Sequence, residues 1–336
     1  MANKLDISQL DFDGIKDNLK TFLKQQDEFT DYDFEGSGMN ILLDVLAYNT
    51  HYLGYNANML ANEMFLDSAD QRSSVVSLAK QVGYTPRSAS SSKATIDVLV
   101  NNGSGSSITM ARGTKFTSTV DGTSYSFVNN ADVSVSPVDG VYKFSNLDIF
   151  EGTYLNFKYT ANTSDQDQRF IIPNDNVDTT TLTVKVQNSS SDSTTNTYTL
   201  AQGITGLDST SEVYFLNEVE NGRFEVYFGD GVLGKAIADG NIVILDYITC
   251  NRDEPNGATT FTLSGNVGGF TNVTITTVDN AANGDGPESI ESIKFNAPRD
   301  FTSQDRAVTA DDYKVLVKSL FANAQSVQVY GGEDAA

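Results

Sequence analysis

Residues 35–66 read EGSGMNILLDVLAYNTHYLGYNANMLANEMFL, a stretch with no proline and long enough for roughly 45 Å of helix at 1.5 Å per residue. Ile41, Val45, Tyr48, Tyr52, Tyr55 and Met59 recur at helical spacing as one face. Leu42, Leu43, Leu46, Leu53 and Leu60 widen the apolar surface to well over half the circumference. A helix apolar nearly all round is buried on several sides, yet the chain offers this one few neighbours. A short amphipathic helix carries Ile15, Leu19, Phe22 and Leu23, with Asp11 or Asp13 as its cap. A third helix is predicted from about Ser68 to Val82. Ser68 and Gln71 form its capping box, Val75, Val76, Ala79 and Val82 its apolar face, Gly83 its stop, and Pro86 lies beyond. Two short helices hardly cover the long one, so helices of another chain are the simplest cover. Ile41, Val45, Tyr48, Tyr52, Tyr55 and Met59 are then the intermolecular face. The competing reading packs these residues wholly inside their own chain, because periodicity alone does not assign helix faces.

After about residue 90 the period changes from helical to alternating. A Ser-rich link, RSASSSKAT, leads from Arg87 into TIDVLV, and its Arg87-to-Lys93 part is the predicted hinge for a chain used in two environments. GTKFTS and TSYSFVN flank TVDG as a hairpin, and Asn221-Gly222 marks a second one. TLTVKVQ and NIVILDYIT complete the picture of an antiparallel sandwich or barrel of about eight strands, with Ser- and Thr-rich 188–199 as a solvated loop. Near the end, Thr309 is a plausible N-cap with Asp311 and Asp312 at the positive end of the helix dipole. Tyr313, Leu316, Val317 and Leu320 form the helix face, and Val327 and Val329 read as a strand closed by Gly331-Gly332. One helix and one strand cannot bury each other, so their sheet partners must come from elsewhere. The fold class is α+β: a helical bundle-forming domain at 1–90, an antiparallel β-sandwich-like domain at 91–280, and the start of an α/β segment at 281–336.

A formal charge of -22 and a pI near 4.2 argue against tracking phosphates or anionic lipid, and no local basic patch appears along the sequence. No nucleic acid and no membrane partner is expected. The single Cys250 allows no intrachain disulfide and reads as a packed thiol. The N-terminus lacks an apolar signal core, and no run of ~18 apolar residues occurs, so a protein made and assembled in a cytoplasm is expected.

Chemistry is hard to find. The only histidine, His51, sits in the long helix and reads as a polar helix residue, which leaves serine or cysteine nucleophiles without their usual base, and zinc sites with two or three imidazole or thiolate ligands are excluded by count. Asp279 to Ile290 resembles a calcium loop but has Ala281 and Ile290 where oxygen ligands are needed. Phe228 to Lys235, FGDGVLGK, lacks phosphate-loop spacing and lies between strands, so it reads as a turn. A two-carboxylate glycosidase is not excluded by composition, but no spacing singles out a pair. No catalytic, cofactor-binding or metal residue is assigned, and no enzyme activity or cofactor is expected. What survives is assembly with other chains.

DYDFEGSGMNILLDVLAYNT, RSSVVSLAKQVGYTPRSA, ARGTKF and FEVYFGDG resemble the baseplate wedge protein family of contractile-tailed bacteriophages of the T-even type. NGDGPESIESIKFNAPRDFTSQDRAVTADDYKVLV resembles the signature of the wider baseplate J-like family. Its motif positions here are Gly284, Gly286, Glu288, Ser289, Ala297, Pro298, Ala307, Val308, Thr309, Asp312 and Tyr313. Pro287 departs from the family pattern and should tighten the turn. The T-even-type chains continue for a long second half, so a fragment or a shortened version is expected here.

The resemblance implies a non-enzymatic virion subunit, assembled in the host cytoplasm into the tail baseplate. Copies pair within a wedge, and the N-terminal helices bundle with a neighbouring wedge subunit. Wedges link into a six-fold ring around the hub that rearranges to trigger sheath contraction. The alternative is a receptor-binding or glycan-cleaving tail protein.

Overall fold

The computed structural model describes residues 11–26, 36–101, 103–165, 168–201, 203, 206–303, 306–320 and 327–331. Three helices come first: α1 (Phe12–Leu23), α2 (Gly38–Glu63) and α3 (Arg72–Gln81). Asp11 caps α1 by accepting from Gly14 N at 2.7 Å, and Ser37 caps α2 by accepting from Asn40 N at 3.0 Å. Glu35 lies outside the described residues. The third helix starts later than its sequence suggests, because Ser68 does not cap it. The Ser68 hydroxyl donates instead to Asn62 O at 2.7 Å, while the Glu63 carboxylate takes Asp70 N at 2.8 Å and Gln71 N at 3.3 Å. One carboxylate at the end of α2 thus occupies the donors that a capping box would have satisfied.

Fifteen strands follow among the described residues, against an expected eight or so. The first sheet runs β14 (Thr262–Ser264), β3 (Lys115–Val120), β4 (Thr123–Asn129), β6 (Tyr142–Glu151), β1 (Lys93–Val100), β15 (Val273–Ala282). The second runs β7 (Thr153–Thr160), β13 (Ile242–Thr249), β9 (Val177–Gln187), β10 (Thr195–Leu200), β11 (Val213–Glu218), β12 (Phe224–Phe228), β8 (Phe170–Ile171). β2 (Ile108–Met110) and β5 (Val133–Val135) form a small ribbon. Pairing is antiparallel except between β10 and β11. Both expected hairpins form. Asp121 and Gly122 turn β3 into β4 at φ 46° and 84°, and Asn221 and Gly222 turn β11 into β12 at φ 62° and 73°. The expected solvated loop 188–199 is half wrong, since Thr195–Leu200 is a strand whose one buried side chain is Tyr198.

Each sheet has its own core. Ile96, Val98, Phe116, Phe127, Phe144 and Ile149 anchor the first, and Val184, Val226, Val243, Leu245, Tyr247 and Phe224 the second. The chain passes from one to the other at Gly152, between β6 and β7, with φ 131° and a position where a Cβ would sit 2.1 Å from Thr249 O. Only glycine fits there. Gly152→Ala is therefore expected to cost more than about 1 kcal/mol, read as a drop in the thermal midpoint.

The joint between the sheets is polar. Along β13, Val243, Leu245 and Tyr247 enter the second core, and Asp246 points to the other face. There it meets Arg112 at 3.1 Å, Lys185 at 3.4 Å and Asn156 Nδ2 at 2.5 Å, while Arg112 also reaches Asn130 and Thr183 and stacks over the Tyr154 ring. Burial pushes the Asp246 carboxyl up, but hydrogen bonds from Asn156 and Tyr154 and the charges of Arg112 and Lys185 hold it below the usual carboxylate range. A carboxyl lowered on folding stabilises above its unfolded value of about 3.9 and loses that contribution as pH falls through the folded value. Asp246→Asn is expected to lower stability at neutral pH and to flatten the acid limb below about pH 4, measured by denaturant titration across pH.

A third core joins α3 to the helix that follows the last strand. Val75, Val76 and Ala79 of α3 pack with Ala69 and with Ile293 and Ala297 of α4 (Ile290–Ser303). The division at 90 and 281 read from the sequence runs through this cluster. The Ser-rich link, expected as a hinge, is packed in this structure. Ser88, Ser91 and Ser92 are buried, Ser88 Oγ lies 2.8 Å from Thr179 Oγ1, Ser91 N donates to Asp178 at 2.8 Å, and Ser90 exchanges backbone bonds with Asp285. Small side chains are there so that the segment can thread between packed elements. Finally, α5 (Ala310–Leu320) begins as expected, but 327–331 form no strand; Gly332 lies outside the described residues.

Candidate interaction surface

α1 covers one side of α2. Asn40, Leu43 and Ala47, at i, i+3 and i+7, are the buried positions of the long helix, Ile15 is the buried one of α1, and Lys16 pairs with Asp44 at 2.5 Å. Most large apolar side chains on the rest of α2 are exposed. Ile41, Val45, Tyr48, Tyr52 and Tyr55 are each more than half exposed and Met59 is 39% exposed. A second row, Leu42, Leu46, Leu53 and Leu60, lies beside them and is also exposed. The Tyr48 and Tyr52 rings stack at 6.2 Å and 25°, one turn apart. A strip of this length exceeds the scattered apolar exposure of an ordinary surface and has the character of an interface. No helix among the described residues is long and apolar enough to cross a membrane.

The motif positions near the C-terminus divide into two groups. Gly284 exchanges bonds with the Asn256 amide at 2.9 and 3.0 Å, and a Cβ on it would fall 2.0 Å from Arg252 O. Gly286 sits in open space, with its N–H donating to Asp285 at 2.8 Å. Glu288 is buried and accepts from Tyr84 Oη at 2.9 Å, Arg87 N at 3.1 Å, Ser292 Oγ at 2.6 Å and Asn296 Nδ2 at 2.9 Å. Burial, and then the Glu288 charge, push the Tyr84 hydroxyl far up. Arg72 donates to the Glu288 carbonyl and grips Glu218 with two bonds of 2.7 and 2.8 Å, tying α3 to α4 and to the second sheet. Ser289 caps α4 through Ser292 N at 3.2 Å, Ala297 is buried in the third core, and Pro298 stands inside α4. The second group is apart from the first. Thr309 and Asp312 cap α5 reciprocally at 2.8 and 3.2 Å, with Val308 and Tyr313 exposed. The first group, through Glu288 and Ala297, ties α3, the link and α4 together, and the α2 strip is separate from it.

Cys250 is buried, and burial pushes its thiol up to about 11, which makes it unreactive. The 228–235 loop is a turn held by its own carboxylate, with Asp230 accepting from Val232 N at 2.9 Å and Leu233 N at 3.0 Å. No group of three metal-ligating side chains gathers among the described residues.

One feature escapes the sequence. Arg72, Lys80, Arg169 and Arg252 line a single groove of about 810 Å³ between α3 and the second sheet, with Asp175 and Glu218 as its carboxylates. Its floor is apolar, from Val76, Ala89, Val177 and Phe224. These cations are far apart along the chain and only the fold collects them, with Arg72 paired to Glu218 and Arg169 to Glu225.

Comparison with known proteins agrees with the arm and the second sheet. Residues 11–84 match the family model "Baseplate wedge protein gp6-like, helical domain", and residues 156–256 match "Bacteriophage baseplate wedge protein gp6, third domain". The chain is 31% identical to the baseplate wedge protein gp6 of Enterobacteria phage T4 over 95% of its own length and 51% of the relative. It thus spans about half of the curated relative it matches. A chain in the cryo-EM structure of the anti-feeding prophage baseplate covers 91% of this chain and 63% of itself at 10% identity and TM-score 0.33, a likeness too loose to carry argument. With α2 and its flanking helices inside one matched domain and the second sheet inside the other, the chain belongs to the gp6-like baseplate wedge proteins of bacteriophages.

Proposed function

We propose that the chain is a non-enzymatic structural subunit of a phage tail baseplate wedge, in which the α2 strip is covered by helices of other baseplate chains. The observation that carries this is the exposed apolar face running from Ile41 to Leu60 along a helix of 26 residues, about 39 Å. Burying a single large apolar side chain contributes about 1.5–3 kcal/mol, so even half of that strip is enough to hold two chains together after the cost of association. Two adjacent exposed rows suit two partner helices, which supports pairing of copies within a wedge and bundling with a neighbouring wedge subunit. The virion tail baseplate is then its location and the host cytoplasm its place of assembly. Joining of wedges into a ring around the hub, and its rearrangement to release the sheath, follow from the same family membership.

Light scattering on the chain alone and co-expressed with the other wedge subunits of its phage tests this. The expected result is a discrete complex on co-expression. A chain that stays monomeric beside every wedge subunit would refute it.

A further inference from the structure

The groove between α3 and the second sheet carries a net positive charge in a protein of charge -22, with four cations lining it against two carboxylates. Not all of these cations are neutralised. Arg72 is paired with Glu218 and Arg169 with Glu225, the latter by bonds of 3.0 and 2.8 Å. Arg252 donates to the neutral Asn176 amide oxygen at 2.6 and 3.2 Å, and Lys80 Nζ lies 3.2 Å from the neutral side-chain amide of Asn217, whose oxygen is the atom able to accept from it. Both are held in place by neutral groups and keep their charge available at the groove's surface. A volume of about 810 Å³ over an apolar floor admits a short extended peptide rather than a single ion.

We propose that the groove binds an acidic, extended peptide segment, and that in this protein the segment is residues 27–36 of a second copy. Those residues read DEFTDYDFEG, with five carboxylates, three aromatic rings and no cation. The carboxylates match Lys80 and Arg252, and a ring suits the floor of Val76, Ala89, Val177 and Phe224. α2 is about 39 Å long, with Gly38 at its start and the connection to α3 after its end, and the segment is therefore taken from a second copy rather than from the same chain. This extends the pairing of copies proposed above and adds a contact that does not involve the α2 strip.

The test is fluorescence anisotropy of a labelled peptide DEFTDYDFEG against the full chain, beside a control peptide with every Asp and Glu changed to its amide. The expected result is binding that weakens with salt, is lost in the amide peptide, and falls about tenfold in Lys80→Glu and in Arg252→Glu. Both side chains are exposed, so circular dichroism should show unchanged folding for the two variants. Equal binding of the amide peptide, equal binding by both variants, or no binding would overturn the proposal. Tighter binding of a single-stranded oligonucleotide than of the peptide would also overturn it, since the groove would then read phosphates. Tyr52→Ala is expected to leave peptide binding unchanged, which separates failure here from failure of the α2 interface.

Discussion

Tyr48→Ala with Tyr52→Ala is expected to leave the thermal midpoint of the free chain unchanged and to cut its affinity for wedge partners by at least about 30-fold per residue. The two rings are 62% and 56% exposed, so truncation removes little from the folded monomer. In an interface they are the kind of residue that dominates: large, rigid aromatics at the middle of an apolar strip, each costing about 2 kcal/mol or more when truncated. Because the rings stack on each other, the double variant is not expected to sum simply. Leu43→Ala gives the contrast. It lies on the face covered by α1, is buried, and is expected to lower the stability of the free chain by about 2–5 kcal/mol. Titration calorimetry or pull-down for the first pair and denaturant unfolding for the second measure the two effects. A fall in monomer stability for the tyrosines without loss of association would mean that the strip serves its own chain.

Glu288→Ala is expected to destabilise the protein by about 3 kcal/mol or more and to do so locally. Four donors converge on this one carboxylate, from Tyr84, Arg87, Ser292 and Asn296, and each buried donor left unmatched costs about 1–3 kcal/mol. The donors come from the end of α3, the link and α4, so the loss loosens the third core while the two sheet cores, which contain none of them, stay closed. Hydrogen exchange should therefore speed up in α3 and α4 and not in β13. Uniform acceleration throughout the chain would show that the arm and the sheets unfold as one unit.

The parts of this fold that were legible in the sequence are those decided by neighbours a few residues apart. Asp11 and Thr309 as caps, the Asp121-Gly122 and Asn221-Gly222 turns and the period of α2 all depend on local chemistry. The rest depends on what arrives from far along the chain. Glu63 displaces Ser68 from the start of α3 because the end of α2 folds against it. β10 is invisible because TNTYTL offers one inward apolar residue, Tyr198, and takes its order from β9 and β11. A switch from one sheet to the other needs only Gly152, and a glycine next to a strand signals a turn as readily as a crossing. Val327 and Val329 alternate but have no strand to pair with among the described residues. The motif position Glu288 was recognisable from its resemblance, whereas its role as a four-fold acceptor needed Tyr84 and Asn296 to be placed beside it. The α2 strip was half legible: periodicity gave the faces, and only the fold showed that α1 takes the side of Leu43 and Ala47 and leaves Tyr48 and Tyr52 bare.

The most direct measurement is photo-cross-linking from benzoylphenylalanine placed at position 52 in assembled baseplates, followed by mass spectrometry of the products. The α2 interface predicts cross-links into helices of other chains, a second copy or another wedge subunit. Cross-links confined to this chain, or none from a fully labelled assembly, would contradict it.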